Sequence, residues 1–442
     1  MLKNIFSIVM FVLCITATGS DFKVGIARKV ITPQQSPVWM GGYASRTKPA
    51  TAICNNLWAK ALVIEESKEN LIIIVTVDII GLTHEISEVV SNRLIKKYGI
   101  NRSQLLLNSS HVHSGPVLFP SYFDFNTTDI QSVAKYGQQL IDNLISLVDT
   151  AMSNLKPMQL KTGHGLAYFA KNRRDPKLII RPVDYDVPVL AVFSSSGILK
   201  AVLFGYACHN TTLTGSYYEI NGDYAGYAQI ELEKAYPGIT ALFFQGCGAD
   251  IDPEPRGTIE SAEKNGKSLA EAVQKVLTGM LKPVRPPIHT VYQTTYLEFQ
   301  PFSYESYQKD LLSTDRFVQR RARLILEGLN KSWDMTRFPY PVQAVRFNND
   351  LIILALSGEV VVDYSLTVKK EYQGENVFVL GYSNEVMCYI PTRRILKEGG
   401  YEPNSSMIYK GFPGPFAENV EDKVFDIIHQ VMKKTGARLS KN

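Results

Sequence analysis

Between Asn70 and Leu82 the chain reads NLIIIVTVDIIGL, apolar at odd and even positions alike, rich in β-branched residues and broken by one carboxylate, Asp78. A half-exposed strand would alternate, and a membrane-spanning helix would be longer and free of charge. The stretch therefore reads as a strand buried within a sheet. WAKALVIEE, just before it, pairs with it, and HEISEVVSNRLIKKYG reads as an amphipathic helix closed by Gly99. Further along, VPVLAVFSSSGILKAVLFGYACH forms a hairpin around Ser196 and Gly197, DYAGYAQIELEKAYPG a helix and TALFFQGCGAD a strand. A charged helix through DRFVQRRARLILEGL, the strands LIILALSGE and VFVLGYSNE, and a terminal helix VEDKVFDIIHQVMKK follow. The alternation predicts an α/β fold, mixed sheets with flanking helices.

Of the 442 residues 45% are hydrophobic and 20% charged, which supports a large buried core and excludes disorder. No Gly/Ser or Pro-rich linker divides the chain, so one large domain or two tightly packed lobes is expected. Residues 1–20, MLKNIFSIVMFVLCITATGS, place Lys3 before an apolar run from Ile5 to Ala17 and small residues after it, the pattern of a cleaved export signal. A secreted or periplasmic location follows. Lipid attachment at Cys14 is disfavoured, because Leu13 precedes it where a small residue belongs. No other segment reads as a transmembrane span. Cys54, Cys208, Cys247 and Cys388 are too widely spaced for a disulfide scaffold, and most are expected as buried thiols. The 47 basic and 42 acidic residues are scattered without a basic tract, so nothing points to nucleic acid.

What carries chemistry is where polar residues fall. Apolar strands run straight into titratable side chains four times: His111 after QLLLNSS, His209 after VLFGYAC, Asp250 and Asp252 after ALFFQGCGA, and Glu359 after LIILALSG. In NSSHVHSGP, His111 and His113 stand two apart and leave an extended chain on one face. Each has a plain structural alternative: a core histidine, or a Glu359 that caps the helix EVVVDYSLTVKK. Their coincidence at strand ends, where open α/β sheets bind ligands, favours a site. Two or three imidazoles and a carboxylate suit a zinc ion with one position left for water.

SSHVHSGP resembles the His-Thr-His-Ser-Gly-Pro signature of neutral ceramidases, zinc-dependent amidases that cut the N-acyl bond of ceramide. VGIARKVITP, MGGYASR, VTVDIIGL, NRRDP, YACHNTTL, INGDYAGYA, SGEVVVDYS and NEVMCYIPTRRILKEGGYE resemble further blocks of that family, in the same order, from about residue 22 to 435. The resemblance implies a catalytic domain over residues 21–442 and zinc ligands at His111, His209, Glu359 and Tyr389. It also implies that His113 lies near the bound water or the substrate carbonyl, and that Arg173 and Tyr401 contact the reacting amide.

One block departs from the family. In QGCGADIDPEPRG, Asp252 stands where neutral ceramidases have a catalytic serine. A carboxylate does not replace serine as acyl acceptor, but it takes a proton from metal-activated water as a general base. The expectation is hydrolysis with Asp252 as base, His113 and Tyr401 stabilising the oxyanion and Arg173 positioning the substrate. The plain alternative for Asp252 is an Asx cap opening the turn DPEPRG. Ending at Asn442, the chain is also expected to lack the immunoglobulin-like C-terminal domain of the family. The substrate is expected to be a small molecule, lipid or glycan with an N-acyl group. Glu254 and Arg256, also departures, suit a polar substrate. The alternatives are a zinc esterase or deacylase for carbohydrate or cell-wall material, and a non-catalytic binding homologue.

Overall fold

The computed structural model describes residues 22–34, 37–118 and 127–440; the expected export signal, residues 1–20, lies outside them. The larger sheet contains β1 (Phe22–Val30), β2 (Trp58–Glu65), β3 (Leu71–Val77), β4 (Leu105–Ser109), β5 (Lys156–Leu166), β6 (Asp186–Ser194), β7 (Leu199–Tyr206), β8 (Thr240–Gln245) and β9 (Lys282–Val284). Their order is β8-β7-β6-β5-β1-β2-β3-β4, with β9 beside β5. Only β3/β4 and β7/β8 are parallel, and each pair is joined by a crossover helix, α1 (His84–Tyr98) and α3 (Asp223–Ala235). β10 (Ile288–Glu298), β11 (Arg337–Phe347), β12 (Leu351–Leu356) and β13 (Val377–Leu380) form a second sheet in chain order. This is the mixed α/β architecture that the alternation predicts.

Side-chain alternation stacks these elements into four layers. On β2, Ala59, Ala61 and Val63 face outward into a core shared with α1 and α2 (Thr127–Ser153), while Leu62 and Ile64 face inward onto Val345, Ile353 and Phe378 of the second sheet. α3 and α4 (Ile259–Thr278) cover the other half of the outer face. The helices Val362–Glu371 and Val420–Lys434 cover the far side of the second sheet. A sheet buried on both faces explains the unbroken apolar run 70–82. Asp78, which interrupts it, is buried at a strand end, where its carboxylate accepts hydrogen bonds from Trp58 N (3.0 Å) and Gln229 Nε2 (3.3 Å).

The larger sheet curls until its two edges meet. β8 and β4 lie at opposite ends of the strand order, yet Gln245 N donates to Asn108 Oδ1 (2.8 Å), and Asn108 Nδ2 donates to Gly381 O (2.8 Å). The chain leaving β13 is threaded into this seam: Gly381 N bonds Gln245 O and Ser109 N bonds Tyr382 O. Neither edge is left open for pairing with another chain. The C-terminal ends of β4, β7 and β8 thus arrive beside the loops that follow β12 and β13.

The helix after Glu359 begins at Val362, so Glu359 does not cap it. The cap comes from Asp250, whose Oδ1 accepts from Val362 N (2.9 Å) while Oδ2 accepts from Asn172 (3.0 Å). All four remaining cysteines are free, Cys54 exposed and Cys208, Cys247 and Cys388 buried. Packing of α2 on β1 depends on Gly25, where an added Cβ would lie 1.9 Å from the carbonyl oxygen of Ala151. Gly25→Ala is expected to lower the unfolding free energy by at least ~2 kcal/mol, measured by urea denaturation. An unchanged midpoint would contradict this packing.

Candidate active site

Backbone pairing brings the strand-end residues together. His111 follows β4 and His209 follows β7. Val112 and Asn210 form a parallel bridge, so the two histidine-bearing segments run side by side. His111 itself is in the left-handed region (φ 60°), a local strain of the kind held at functional sites. Glu359 and Tyr389 are direct partners across a two-residue parallel pair, Glu359–Val360 with Tyr389–Ile390.

Hydrogen bonds from the far side of each ring fix the imidazoles. Nδ1 of His111 faces the carbonyl of Ile80, and Nδ1 of His209 faces that of Gly248 at 2.8 Å. A carbonyl only accepts, so both Nδ1 atoms carry the proton and both Nε2 atoms turn lone pairs inward. Glu359 Oε2, buried and without a hydrogen-bond donor, lies 3.1 Å from Nε2 of His111 and 3.5 Å from Nε2 of His209. Three lone-pair atoms facing one another suit a cation among them. Ligands about 2.0–2.1 Å from a tetrahedral zinc stand roughly 3.3 Å apart, which these spacings fit. Tyr389 Oη, 3.4 Å from His209 Nε2, adds a fourth oxygen or nitrogen donor. His113 lies beside them, with Nε2 3.1 Å from Nε2 of His111 and Nδ1 buried without a partner. The buried group His111, His113 and His209 has the geometry to hold a metal ion.

Burial, with His111 and His209 nearby, holds the His113 pKa well below the ordinary imidazole value. Burial and the charge of Arg173 push His209 down to about 4. Burial would raise Glu359, but Lys410 and His111 outweigh it and keep the carboxyl ionised.

Arg173 is the hub on one side of the cluster. Its guanidinium donates to Tyr389 Oη (3.2 Å), Asp252 Oδ1 (3.4 Å) and Glu402 Oε1 (3.0 Å). Asp252, on a short strand Ile251–Pro253 paired with Ala170–Asn172, also receives Arg256 on Oδ2 and Thr211 on Oδ1. Burial would raise its pKa; Arg173, His209 and Arg256 bring it below the usual carboxylate value. Tyr401 packs its ring 5.5 Å from that of Tyr389 and is 44% exposed, at the edge of the site.

A cavity of about 510 Å³ opens onto the cluster. His111, His113, Glu359, Tyr389 and Tyr401 form its polar end, and Leu118, Phe317, Leu324, Phe338, Met387 and Phe412 line its apolar walls. Thr83, His84, Glu85 and Lys410 also line it, so the space offers both polar and apolar surface to a ligand.

The fold and this cluster define an α/β protein with a buried His/Glu/Tyr centre at the foot of an apolar cavity. The sequence profile of the family described as neutral/alkaline non-lysosomal ceramidase, N-terminal, matches residues 22–258, and the chain belongs to that family. It is 26% identical over 264 residues to the neutral ceramidase of Pseudomonas aeruginosa, covering 56% of this chain and 39% of that one. To neutral ceramidase B of Dictyostelium discoideum it is 24% identical over 260 residues, covering 54% and 36%. These matches thus span well under half of either relative. The crystal structure of the Pseudomonas aeruginosa neutral ceramidase superposes with a TM-score of 0.75 at 19% identity, over 96% of this chain and 76% of that chain, and so shares the fold.

The eight residues given a metal or catalytic role from the sequence lie in or beside this centre: His111, His113, His209, Glu359 and Tyr389 in the cluster, with Arg173, Asp252 and Tyr401 around it; Asp250, the other strand-end carboxylate, caps a helix instead. Sequence reasoning passed over Lys410, whose Nζ is 2.8 Å from Glu359 Oε1, and Glu402, which holds Arg173 and Arg174. It also passed over Arg46, which donates to the carbonyl of His113 (2.6 Å). Arg46 sits in the quoted block MGGYASR, where its position carried a signal; Lys410 had none. That block also supplies Gly42, at φ 90°, where a Cβ would lie 2.3 Å from His113 Nδ1. Gly42→Ala is expected to cost about 2 kcal/mol or more in stability. A denaturation midpoint equal to wild type would show that His113 is not wedged against this loop.

Proposed function

We propose that this chain is an exported zinc-dependent hydrolase that cleaves the N-acyl amide bond of a ceramide-like lipid, with residues 21–442 forming its catalytic domain. The observation that carries this reading is the polar His/Glu/Tyr centre at the foot of an apolar cavity of about 510 Å³, in a chain of the ceramidase family. Among the described residues no helix is long and apolar enough to cross a membrane. A secreted or periplasmic location rests on the residue pattern of 1–20.

His111, His209, Glu359 and Tyr389 would hold the zinc, which supplies Lewis acidity to polarise the amide carbonyl and acidify water. The other groups act around it. His113, kept neutral by burial and with Nε2 3.1 Å from that of His111, donates from Nε2 to the oxygen that gains charge as the carbonyl carbon becomes tetrahedral. Tyr401, at the open edge, supplies a second donor to that oxygen. Arg173 orients Tyr389 through its 3.2 Å hydrogen bond and presents positive charge to the substrate.

Purified without chelator, the protein should carry close to one equivalent of zinc and hydrolyse N-acyl sphingosines, and a chelator should abolish that activity. Preference for acylated amino sugars would point to the carbohydrate deacylase reading, and absence of turnover on either to a binding homologue. His111→Ala should lose the metal. His113→Ala should keep it while turnover falls on the order of a hundredfold; equal zinc loss in both would make His113 a ligand.

For Asp252 two roles stand apart. As general base it accepts a proton from water and passes it to the leaving amine. The clamp of Arg173 and Arg256 on its two oxygens, which lowers its basicity, favours a second role as the anchor that aims Arg173. Asp252→Asn retains much of the hydrogen bonding to the arginines but is no base. A loss of two to four decades in turnover is expected for the base, and a loss under about tenfold for the anchor. Asp252→Ser is expected to be inert on N-acyl sphingosines that the wild type cleaves, because it leaves Arg256 without its carboxylate.

A further inference from the structure

Glu359 presents its two oxygens to different partners. Oε2 faces His111 and His209, and Oε1 lies 2.8 Å from Nζ of Lys410, which also lines the cavity. Glu359 is 2% exposed and Lys410 20%. The lysine is the last residue of the helix Ser406–Lys410, closed by Gly411 at φ 77°, and the preceding carbonyl, that of Tyr409, accepts from Arg320 (2.6 Å). A helix end, a glycine cap and a buried arginine therefore fix where the ammonium group sits.

We propose that Lys410 is a positioning residue that sets the charge and the binding mode of Glu359 toward the metal. By holding Oε1 it leaves Oε2 alone to face the histidines, so that the carboxylate would offer a bound metal one oxygen and not both. By pairing with the carboxylate it also reduces the electron density Glu359 donates, which keeps the ion a stronger Lewis acid. The same cation repels a divalent ion a few ångströms away. Lys410 thus weakens metal binding and strengthens catalysis, two effects of opposite sign that a merely structural lysine would not produce. Without the metal, Lys410 compensates the buried charge of Glu359.

This role rests on the metal reading above, and one set of measurements separates the two. Wild type, Lys410→Gln and Lys410→Arg are stripped of metal, and zinc affinity is measured by competition with a chromogenic chelator, alongside kcat and KM on an N-acyl sphingosine. Lys410→Gln keeps a hydrogen-bond donor to Oε1 and loses only the charge. It is expected to bind zinc at least about tenfold tighter, to gain more thermal stability on zinc addition than wild type does, and to turn over at least about tenfold more slowly with KM little changed. Lys410→Arg, which restores the charge, should return both affinity and kcat to within about threefold of wild type. A zinc-binding wild type whose Lys410→Gln variant binds zinc no tighter, or whose affinity and turnover fall together, overturns the role of Lys410. A wild type that takes up no zinc overturns the metal reading itself and this role with it.

Discussion

The seam closed by Asn108 is what the rest of the molecule hangs on. One buried amide side chain accepts from Gln245 N and donates to Gly381 O, and so ties two edges of the larger sheet to a segment of the smaller one. An unpaired amide at this depth would cost several kcal/mol, so the three segments are held in one register. Every candidate site residue except Tyr401 lies within a few positions of a strand or short strand pairing. His111 is three residues past Asn108, Tyr389 sits on the chain that leaves the seam, and Glu359 follows Gly358, whose backbone bonds Tyr382 and Glu385 of that chain.

Around the centre, charge is balanced in opposing pairs. Glu359 lies between the imidazole nitrogens and Lys410, Asp252 between Arg173 and Arg256, and Glu402 between Arg173 and Arg174. Buried charges of this kind are tolerated because each has a partner, and removing one partner strands the other. Arg256, which from the sequence suited a polar substrate, is turned to Asp252 and to the carbonyl of Thr211. Away from the histidines the cavity is lined by Leu118, Phe317, Leu324, Phe338, Met387 and Phe412, with Thr83, His84 and Glu85 among them.

Much of this was legible in the sequence because it lies in local patterns. The unbroken run 70–82 marks a strand buried on both faces, and polar residues abruptly ending such runs mark His111, His209 and Glu359. Other features were visible and passed over: in α2, Val133, Tyr136, Leu140, Leu144 and Val148 are all buried at helical spacing. Still others leave no local trace. Nothing near Asp250 says that it caps a helix whose first residue is Val362, and nothing near Lys410, a lysine before a glycine, distinguishes it from a solvated surface residue. The resemblance named Tyr389, which its own neighbourhood would have marked only as a packed aromatic. Pairings between segments this far apart in the chain are a property of the closed sheet and cannot be read from either segment alone.

The centre draws on residues from His111 to Lys410, and apart from His111 and His113 its candidate ligands come from different loops. Contacts so distant in sequence form late, after the entropy of closing long loops has been met by the packing of the sheets. A chain still emerging from the ribosome holds the first histidine long before it holds Glu359 or Tyr389. The cluster is therefore complete only with the last pairings of the sheets: a partly folded chain keeps its histidines apart from Glu359 and Tyr389 and has no assembled centre.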